Sequence, residues 1–202
     1  MIKYILLVLV LGGTVGYLNS NWAEVVENAW VSDYLFNGAL LLLLFVMGVA
    51  FSVDRDAVAK IRRTGVKILV VPFAVGLGTV LGGLVGGFVL GINVAGAMAV
   101  SAGFGWYTLA GPLVGQLLGA EWGALGFVVN FLRELLTILT VSLTSKGGKN
   151  VPVAVGGATT MDTTLPVIVR YSGSEALITS FSSGFVLSLV APFAIIALAS
   201  LY

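Results

Sequence analysis

Two carboxylates lie in apolar parts of the chain, where a charge is costly and usually has a function. Glu134 is near the middle of a long apolar segment, and Asp162 lies in the small, threonine-rich stretch 156–166. A charged side chain at the centre of a bilayer costs about 2.5 kcal/mol or more, so it normally faces a protein interior or water and marks a substrate or ion path. Both residues are therefore predicted to contact a bound solute.

Polar neighbours flank each carboxylate. Asn130 precedes Glu134 by four residues, so the two side chains share one face of a helix. A structural pair between Glu134 and Arg133 is the alternative, although adjacent helical residues point about 100° apart. Asp162 is flanked by threonine hydroxyls and either lines a site or caps a following half-helix. The further site residues predicted around it are Thr159, Thr160 and Thr163.

A third candidate, 101–108, combines glycines with aromatic rings. Its candidate site residues are Gly103, Gly105, Trp106 and Tyr107. Aromatic rings beside flexible backbone can pack on an aliphatic stem or attract an ammonium group through a cation–π contact. The alternative is that the two rings fill space at a helix crossing.

Composition places these groups in a membrane protein. The 202 residues are 58% hydrophobic and 9% charged, whereas soluble domains carry about a quarter charged residues. The sequence has no histidine and no cysteine, which excludes histidine-dependent nucleophiles, histidine metal ligands and disulfides. We therefore expect no catalytic residue, no metal and no cofactor, and a single membrane-transport domain over 1–202.

Apolar stretches long enough to cross a bilayer recur along the chain. A spanning helix needs about 20 mostly apolar residues. The stretches that qualify are 35–53, 68–90, 122–143 and 176–201. A shorter one, 2–18, is interpreted as a retained helix, with a cleaved signal peptide as the alternative. The predicted fold is an all-α, polytopic helical membrane protein with about six spanning helices.

Two further apolar stretches, 94–118 and 151–169, are interrupted. The first is broken at 103–107 and later at Gly111-Pro112, and the second at Gly156-Gly157 and at Pro166. Unpaired backbone at membrane depth is tolerated only inside protein or beside water, so both are expected to be broken or re-entrant segments that face the interior. Their similar order suggests an inverted repeat whose two breaks meet near mid-membrane.

The distribution of lysine and arginine along the chain predicts its orientation in the membrane. Five of these bases lie between 55 and 67, whereas the connection 19–34 carries only acidic charges. The N-terminus is then cytoplasmic and the C-terminus external. If 94–118 is re-entrant from outside and 151–169 from inside, every loop base is cytoplasmic, and we favour this topology. If both stretches cross the membrane, Lys146 and Lys149 become external.

Four segments follow one another in a recognisable order. They are Gly-Phe-Gly-Trp-Tyr at 103–107, Leu-Arg-Glu-Leu at 132–135, the stretch 157–167, and Ser-Gly-Phe-Val-Leu-Ser-Leu-Val-Ala-Pro at 183–192. Together they resemble the lysine exporter family of the LysO type, whose longer members carry an extra N-terminal set of helices. The resemblance implies export of L-lysine, and of analogues such as thialysine, with roles for Glu134 and for the segments 103–107 and 157–166.

The expected protein is a multi-pass carrier of the cell membrane and not an enzyme. Its expected partners are L-lysine and the lipid bilayer, and not nucleic acid. Glu134 and Asp162 would neutralise ammonium groups, while half-helix N-termini and threonine hydroxyls would hold the carboxylate. Antiport with a proton or sodium ion, and a homodimer, are further hypotheses. The alternative is a passive channel, or a membrane subunit of a larger complex, for another small cationic or amino-acid solute.

Overall fold

The computed structural model describes residues 69–202 continuously, together with isolated helical positions between 7 and 49. The chain divides into two compact units, Met1–Val53 and Asp54–Tyr202. Most of the predicted segments 2–18 and 35–53, and the basic stretch 55–67, lie outside the described residues. The single transport domain expected over 1–202 stays a prediction.

Within 69–202 the chain is helical and contains no strand, which confirms the predicted all-α class. Its α-helices are α1 (Val70–Leu90), α2 (Val94–Ser101), α3 (Tyr107–Leu118), α4 (Ala120–Thr144), α5 (Val151–Gly156), α6 (Leu165–Ser172) and α7 (Ala176–Ala199). Short 3₁₀ helices occupy Ser145–Gly147 and Gly157–Met161. In this part of the chain three helices are long and apolar enough to cross a bilayer: α1, α4 with its 3₁₀ extension, and α7.

The long helices carry large apolar side chains on their outer faces. Phe73 and Phe88 of α1 are 74% and 71% exposed, and Phe193 of α7 is 73% exposed. Contiguous exposed apolar surface of this kind suits hydrocarbon and not water. An apolar surrounding also favours the helical conformation itself, because a helix bonds its backbone groups internally where no water can do so.

The first interrupted stretch is a re-entrant hairpin made of α2 and α3. Near its start, Gly96 of α2 lies against the Trp122 ring, and near its end Gly115 of α3 lies against Gly123. Trp122 and Gly123 both belong to the first turn of α4. Between these points the break, which we call tip 1 (102–106), lies at the level of Asn130 in the middle of α4. The chain therefore enters and leaves at the same end of α4.

The second interrupted stretch, α5 and α6, is re-entrant from the other end of α4. Val153 of α5 and Ile168 of α6 pack in one buried cluster with Val141 near the end of α4. At the base of this hairpin Lys149 forms an ion pair with Glu175. A hydrogen bond from Lys149 and its charge lower the pKa of the exposed Glu175 carboxyl. The break of this hairpin, tip 2 (157–164), lies at the middle of α4.

The two tips meet. The Ala158 N–H of tip 2 donates to the Phe104 carbonyl of tip 1 at 2.8 Å. Helix α7 runs antiparallel to α4, because Tyr202 reaches Trp122 at one end and Ala176 packs near Val141 at the other. Of the two arrangements that the sequence left open, the structure has the re-entrant one. Hairpins that enter from opposite ends are what an inverted repeat produces.

Of the two prolines at which a break was predicted, Pro112 does not interrupt its helix and Pro166 follows a break. Helix α3 continues through Pro112, so the second break predicted at Gly111-Pro112 is wrong. Proline removes one backbone donor, but Gly111 and its neighbours keep α3 tightly packed on α4. The break before Pro166 is present, because this proline is in the first turn of α6, where a missing N–H costs nothing.

Single-cysteine labelling tests the re-entrant topology, since the chain has no cysteine of its own. Ile92→Cys and Glu121→Cys lie at the two ends of the first hairpin and should react with an impermeant maleimide from the same side of oriented vesicles. Lys146→Cys and Ser174→Cys should both react from the opposite side. Reaction of either pair from two different sides would show that its stretch crosses the membrane.

Candidate functional site

Four of the predicted site residues come together where the tips meet. The carboxylates of Glu134 and Asp162 lie within electrostatic range of each other and of the Tyr107 hydroxyl, and the Thr163 side chain faces Glu134. We call these four residues the carboxylate cluster. Asp162 and Thr163 are exposed and Glu134 is half-buried. The cluster therefore places two acidic groups within electrostatic range of each other, one of them exposed and the other half-buried.

Glu134 has spare capacity to accept hydrogen bonds. Its Oε2 atom is buried and has no hydrogen-bond donor among the described residues. A buried acceptor without a donor is costly. This oxygen of Glu134 is therefore an acceptor that the described part of the chain leaves unsatisfied.

Aromatic packing positions Tyr107 within the cluster. It is the first residue of α3, and its ring meets the rings of Phe127 and Phe131 edge to face at centroid distances of 5.4 and 5.6 Å. Phe131 precedes Glu134 by three residues on the same face of α4. The contacts therefore hold the tyrosine beside the carboxylate, so one of the two predicted aromatic residues belongs to the cluster. Trp106, which precedes α3, is partly buried.

Asp162 does not cap α6. One of its carboxylate oxygens accepts from the adjacent Thr163 N–H at 2.6 Å, and α6 begins after Thr164 without a side-chain cap. The predicted alternative of a simple helix cap is therefore not what the structure has. The N-termini of α3 and α6 both start beside the cluster, and each carries a partial positive charge from its helix dipole.

Asn130 is buried behind the cluster and bonds the backbone of tip 1. Its amide oxygen accepts from Gly105 N–H at 2.7 Å. Its amide nitrogen donates to the carbonyls of Val100 at 2.9 Å and Gly126 at 2.8 Å. These bonds close the end of α2 inside the protein. The contact of Asn130 with a substrate stays a prediction.

The two glycines predicted in tip 1 permit close approach. A side chain at Gly103 would overlap Ala110 and the Asn130 amide. Gly105 has a φ of 102° and approaches the Gly156 carbonyl of the second hairpin. Since positive φ disfavours residues with a Cβ, glycine at this position lets the tips touch.

Thr159 and Thr160 are also buried and bonded within the protein. The Thr159 hydroxyl donates to the Gly156 carbonyl at 3.0 Å. The Thr160 hydroxyl lies 2.8 Å from both the Gly157 carbonyl and the Ser180 carbonyl of α7. Thr160 thus holds tip 2 against α7, where Gly184 leaves room for it, whereas Thr159 bonds within the second hairpin. Their predicted contact with a substrate is untested.

Arg133 does not pair with Glu134. Its guanidinium instead donates to the carbonyls of Ala154 and Val155 in α5 and to the Thr79 hydroxyl in α1. Sequence reasoning left the role of Arg133 undecided and missed Thr79 altogether. The signal for Thr79 is a single hydroxyl in the glycine-rich helix α1, but hydropathy alone does not indicate its partner.

Two re-entrant hairpins whose tips meet beside a pair of carboxylates follow the plan of a membrane transport protein. Within the described residues, no three acidic side chains group as a metal site. The chain belongs to the lysine exporter LysO family, because the family model of that description matches residues 6–199.

Two relatives show the extent of the similarity. The chain is 32% identical over 187 residues to "Lysine exporter LysO" of Escherichia coli, covering 92% of this chain and 60% of that protein. It is 24% identical over 192 residues to "Putative lysine exporter" of Haemophilus influenzae, covering 91% and 90% of the two chains. No solved structure matches. This chain therefore spans three fifths of the Escherichia coli relative.

Replacing Asn130 by alanine should lower the free energy of unfolding by about 2–4 kcal/mol, because backbone groups of tip 1 lose buried partners. The measurement is the thermal unfolding midpoint of the purified protein in detergent. Asn150→Ala is the matched control, since that side chain is exposed and makes no capping bond. Equal midpoints for the two variants would contradict the structural role of Asn130.

Proposed function

We propose that this chain exports L-lysine from the cytoplasm across the cell membrane, with the carboxylate cluster as its substrate site. The observation that carries the proposal is that Glu134 and Asp162 lie within electrostatic range of each other, beside the contact between the two tips. The names of both relatives, which state lysine export, support the substrate. In this proposal the protein is a carrier and not an enzyme.

Lysine fits the charges of this site. It carries two ammonium groups and one carboxylate, so two acidic side chains and a partial positive charge complement it. Glu134 and Asp162 take the ammonium groups, and the N-termini of α3 and α6 attract the carboxylate. The Tyr107 ring lies beside Glu134 and can add a cation–π contact. Thialysine has the same charges and a similar length, so we propose that it is exported too.

Five of the six remaining predicted residues act from behind the site in this proposal. Asn130, Gly103 and Gly105 support tip 1, and Thr159 and Thr160 support tip 2. Their burial leaves the partly exposed carboxylate cluster as the part that meets the substrate. Errors in tip geometry would move Asp162 relative to Glu134 and so weaken binding.

The proposed orientation follows the basic residues. Lys146, Lys149 and Arg170 lie outside the long helices at the α5–α6 end. Because loop bases are retained on the cytoplasmic side, we propose that this end is cytoplasmic and that the C-terminus of α7 is external. A homodimer in the membrane also stays a prediction.

Two conservative substitutions test the site. Glu134→Gln and Asp162→Asn keep the side-chain volume but remove one charge each, so each should reduce lysine efflux from loaded proteoliposomes by at least about tenfold. Glu175→Gln is the matched control, because Glu175 is exposed and its surface ion pair contributes little. Wild-type efflux in Glu134→Gln would exclude the proposed role of this residue.

Export of a cation needs a driving force. Moving one positive charge out against an inside-negative potential costs about 2.3 kcal/mol per 100 mV. We propose antiport with a proton, because repulsion between two nearby carboxylates favours protonation of one of them when no ammonium group is bound. Sodium is the competing coupling ion.

Imposed gradients distinguish these ions. In proteoliposomes loaded with lysine, an inward proton gradient should accelerate efflux, while replacing sodium by choline should leave the rate unchanged. The expected effect of the proton gradient is lost in Asp162→Asn if the pair carries the proton. Acceleration by an inward sodium gradient alone would replace the proton in this proposal.

A further inference from the structure

Among the described residues, the guanidinium of Arg133 is hydrogen-bonded to neutral oxygens and not to a carboxylate. Its Nε donates to the Val155 carbonyl at 2.7 Å, its Nη2 to the Ala154 carbonyl at 2.9 Å, and its Nη1 to the Thr79 hydroxyl at 3.0 Å. In residues 69–202 it has no acidic partner, because the ion pair found there joins Lys149 and Glu175. A permanent charge near the middle of an apolar helix is thus bound by neutral oxygens.

These oxygens belong to a helix end that attracts cations. Ala154 and Val155 are in the last turn of α5, where backbone carbonyls lack helical partners and carry the negative end of the dipole. In carriers with broken helices, such carbonyl ends coordinate a coupling cation. Here the arginine side chain, which comes from α4, fills that position.

The third oxygen connects the same cation to α1. The Thr79 hydroxyl donates its proton to the Val75 carbonyl at 2.7 Å, so its oxygen is left to accept from Arg133. The guanidinium therefore joins α1, α4 and α5 in one place. It also lies against both tips, since a side chain at Gly157 would meet its Cζ and Nη2, and one at Gly105 would approach its Cδ.

We propose that Arg133 is a tethered cation that neutralises the carbonyl end of α5 and positions tip 2 for transport. Its charge, and not its volume, is what the helix end requires. Arg133 acts through its neighbours: without it α5 loses its anchor to α1 and α4, and Asp162 moves relative to Glu134. The transport part of this inference rests on the proposed lysine export, but the binding part does not.

Chemical replacement tests the charge directly. Arg133→Ala leaves a space lined by the same oxygens, so millimolar guanidinium chloride should raise the thermal unfolding midpoint of the purified variant and leave the wild type unchanged. Urea is planar and of similar size but neutral, and should have no effect at the same concentration. Stabilisation by urea equal to that by guanidinium, or no stabilisation by either, would overturn the proposal.

Transport provides the second readout. Arg133→Ala should lower lysine efflux at least about tenfold by the loss of charged hydrogen bonds, and guanidinium, unlike urea, should restore it. Arg133→Lys, which keeps the charge, should be more active than the neutral Arg133→Gln. Arg170→Ala, at an exposed position, is the matched control and should gain nothing from guanidinium. Equal activity of the lysine and glutamine variants would show that charge is not required.

The two proposals fail in different ways. If the wild type does not export lysine, the proposed substrate is wrong, while selective stabilisation of Arg133→Ala by guanidinium still supports the tethered cation. If the wild type exports lysine and Arg133→Ala is equally active, the tethered cation has no role in transport.

If Arg133→Ala does not fold, Thr79→Val provides a second test. It removes only the bond to α1 and should give a smaller loss of efflux. Unchanged efflux and unchanged stability of Thr79→Val would contradict the role of Arg133 as an anchor.

Discussion

A helix that stops inside an apolar layer must find partners within the protein for its free carbonyls, and the second unit depends on this constraint. Helices α2 and α5 both end at the middle of α4. Asn130 bonds the end of α2 and Arg133 bonds the end of α5. The bond between Ala158 and Phe104 then joins the two tips. Because unsatisfied groups at such depth cost several kcal/mol each, we expect the bonds from Asn130 and Arg133 to contribute much of the stability of the tips.

Helix α4 supplies Asn130 and Arg133, which bond the two helix ends, and also Glu134, one of the two carboxylates of the candidate site. Asn130, Arg133 and Glu134 are separated by at most four residues, so α4 aligns both tips with the site over little more than one turn. Tyr107 at the start of α3 and Asp162 in tip 2 lie within electrostatic range of Glu134 while both tips are held against α4. We therefore expect a substitution of Asn130 or Arg133 to alter the geometry of the candidate site, although neither residue belongs to the carboxylate cluster.

Sequence reasoning predicted the elements better than their contacts. The apolar stretches 68–90, 122–143 and 176–201 match α1, α4 and α7 closely, because hydropathy follows directly from the need to face lipid. Glycine and threonine content located both tips, because this content too is a property of each segment by itself. The alternative pairing of Arg133 with Glu134 failed, since neighbouring residues on a helix diverge and the carbonyl end of α5 offered the guanidinium a better partner. The break predicted at Pro112 failed because packing against α4 outweighs one missing hydrogen bond.

The sequence by itself determined that this protein is a helical membrane protein with two interrupted segments and two acidic groups at depth. Those properties are local, since the solvent that each stretch requires depends on its own residues. Only the tertiary structure decided that the segments are re-entrant, that their tips touch, and that Asn130 and Arg133 close them while Tyr107, Glu134, Asp162 and Thr163 share the open side. These relations join residues far apart in the chain, and the periodicity of a helix gives the direction of a side chain but not what it meets.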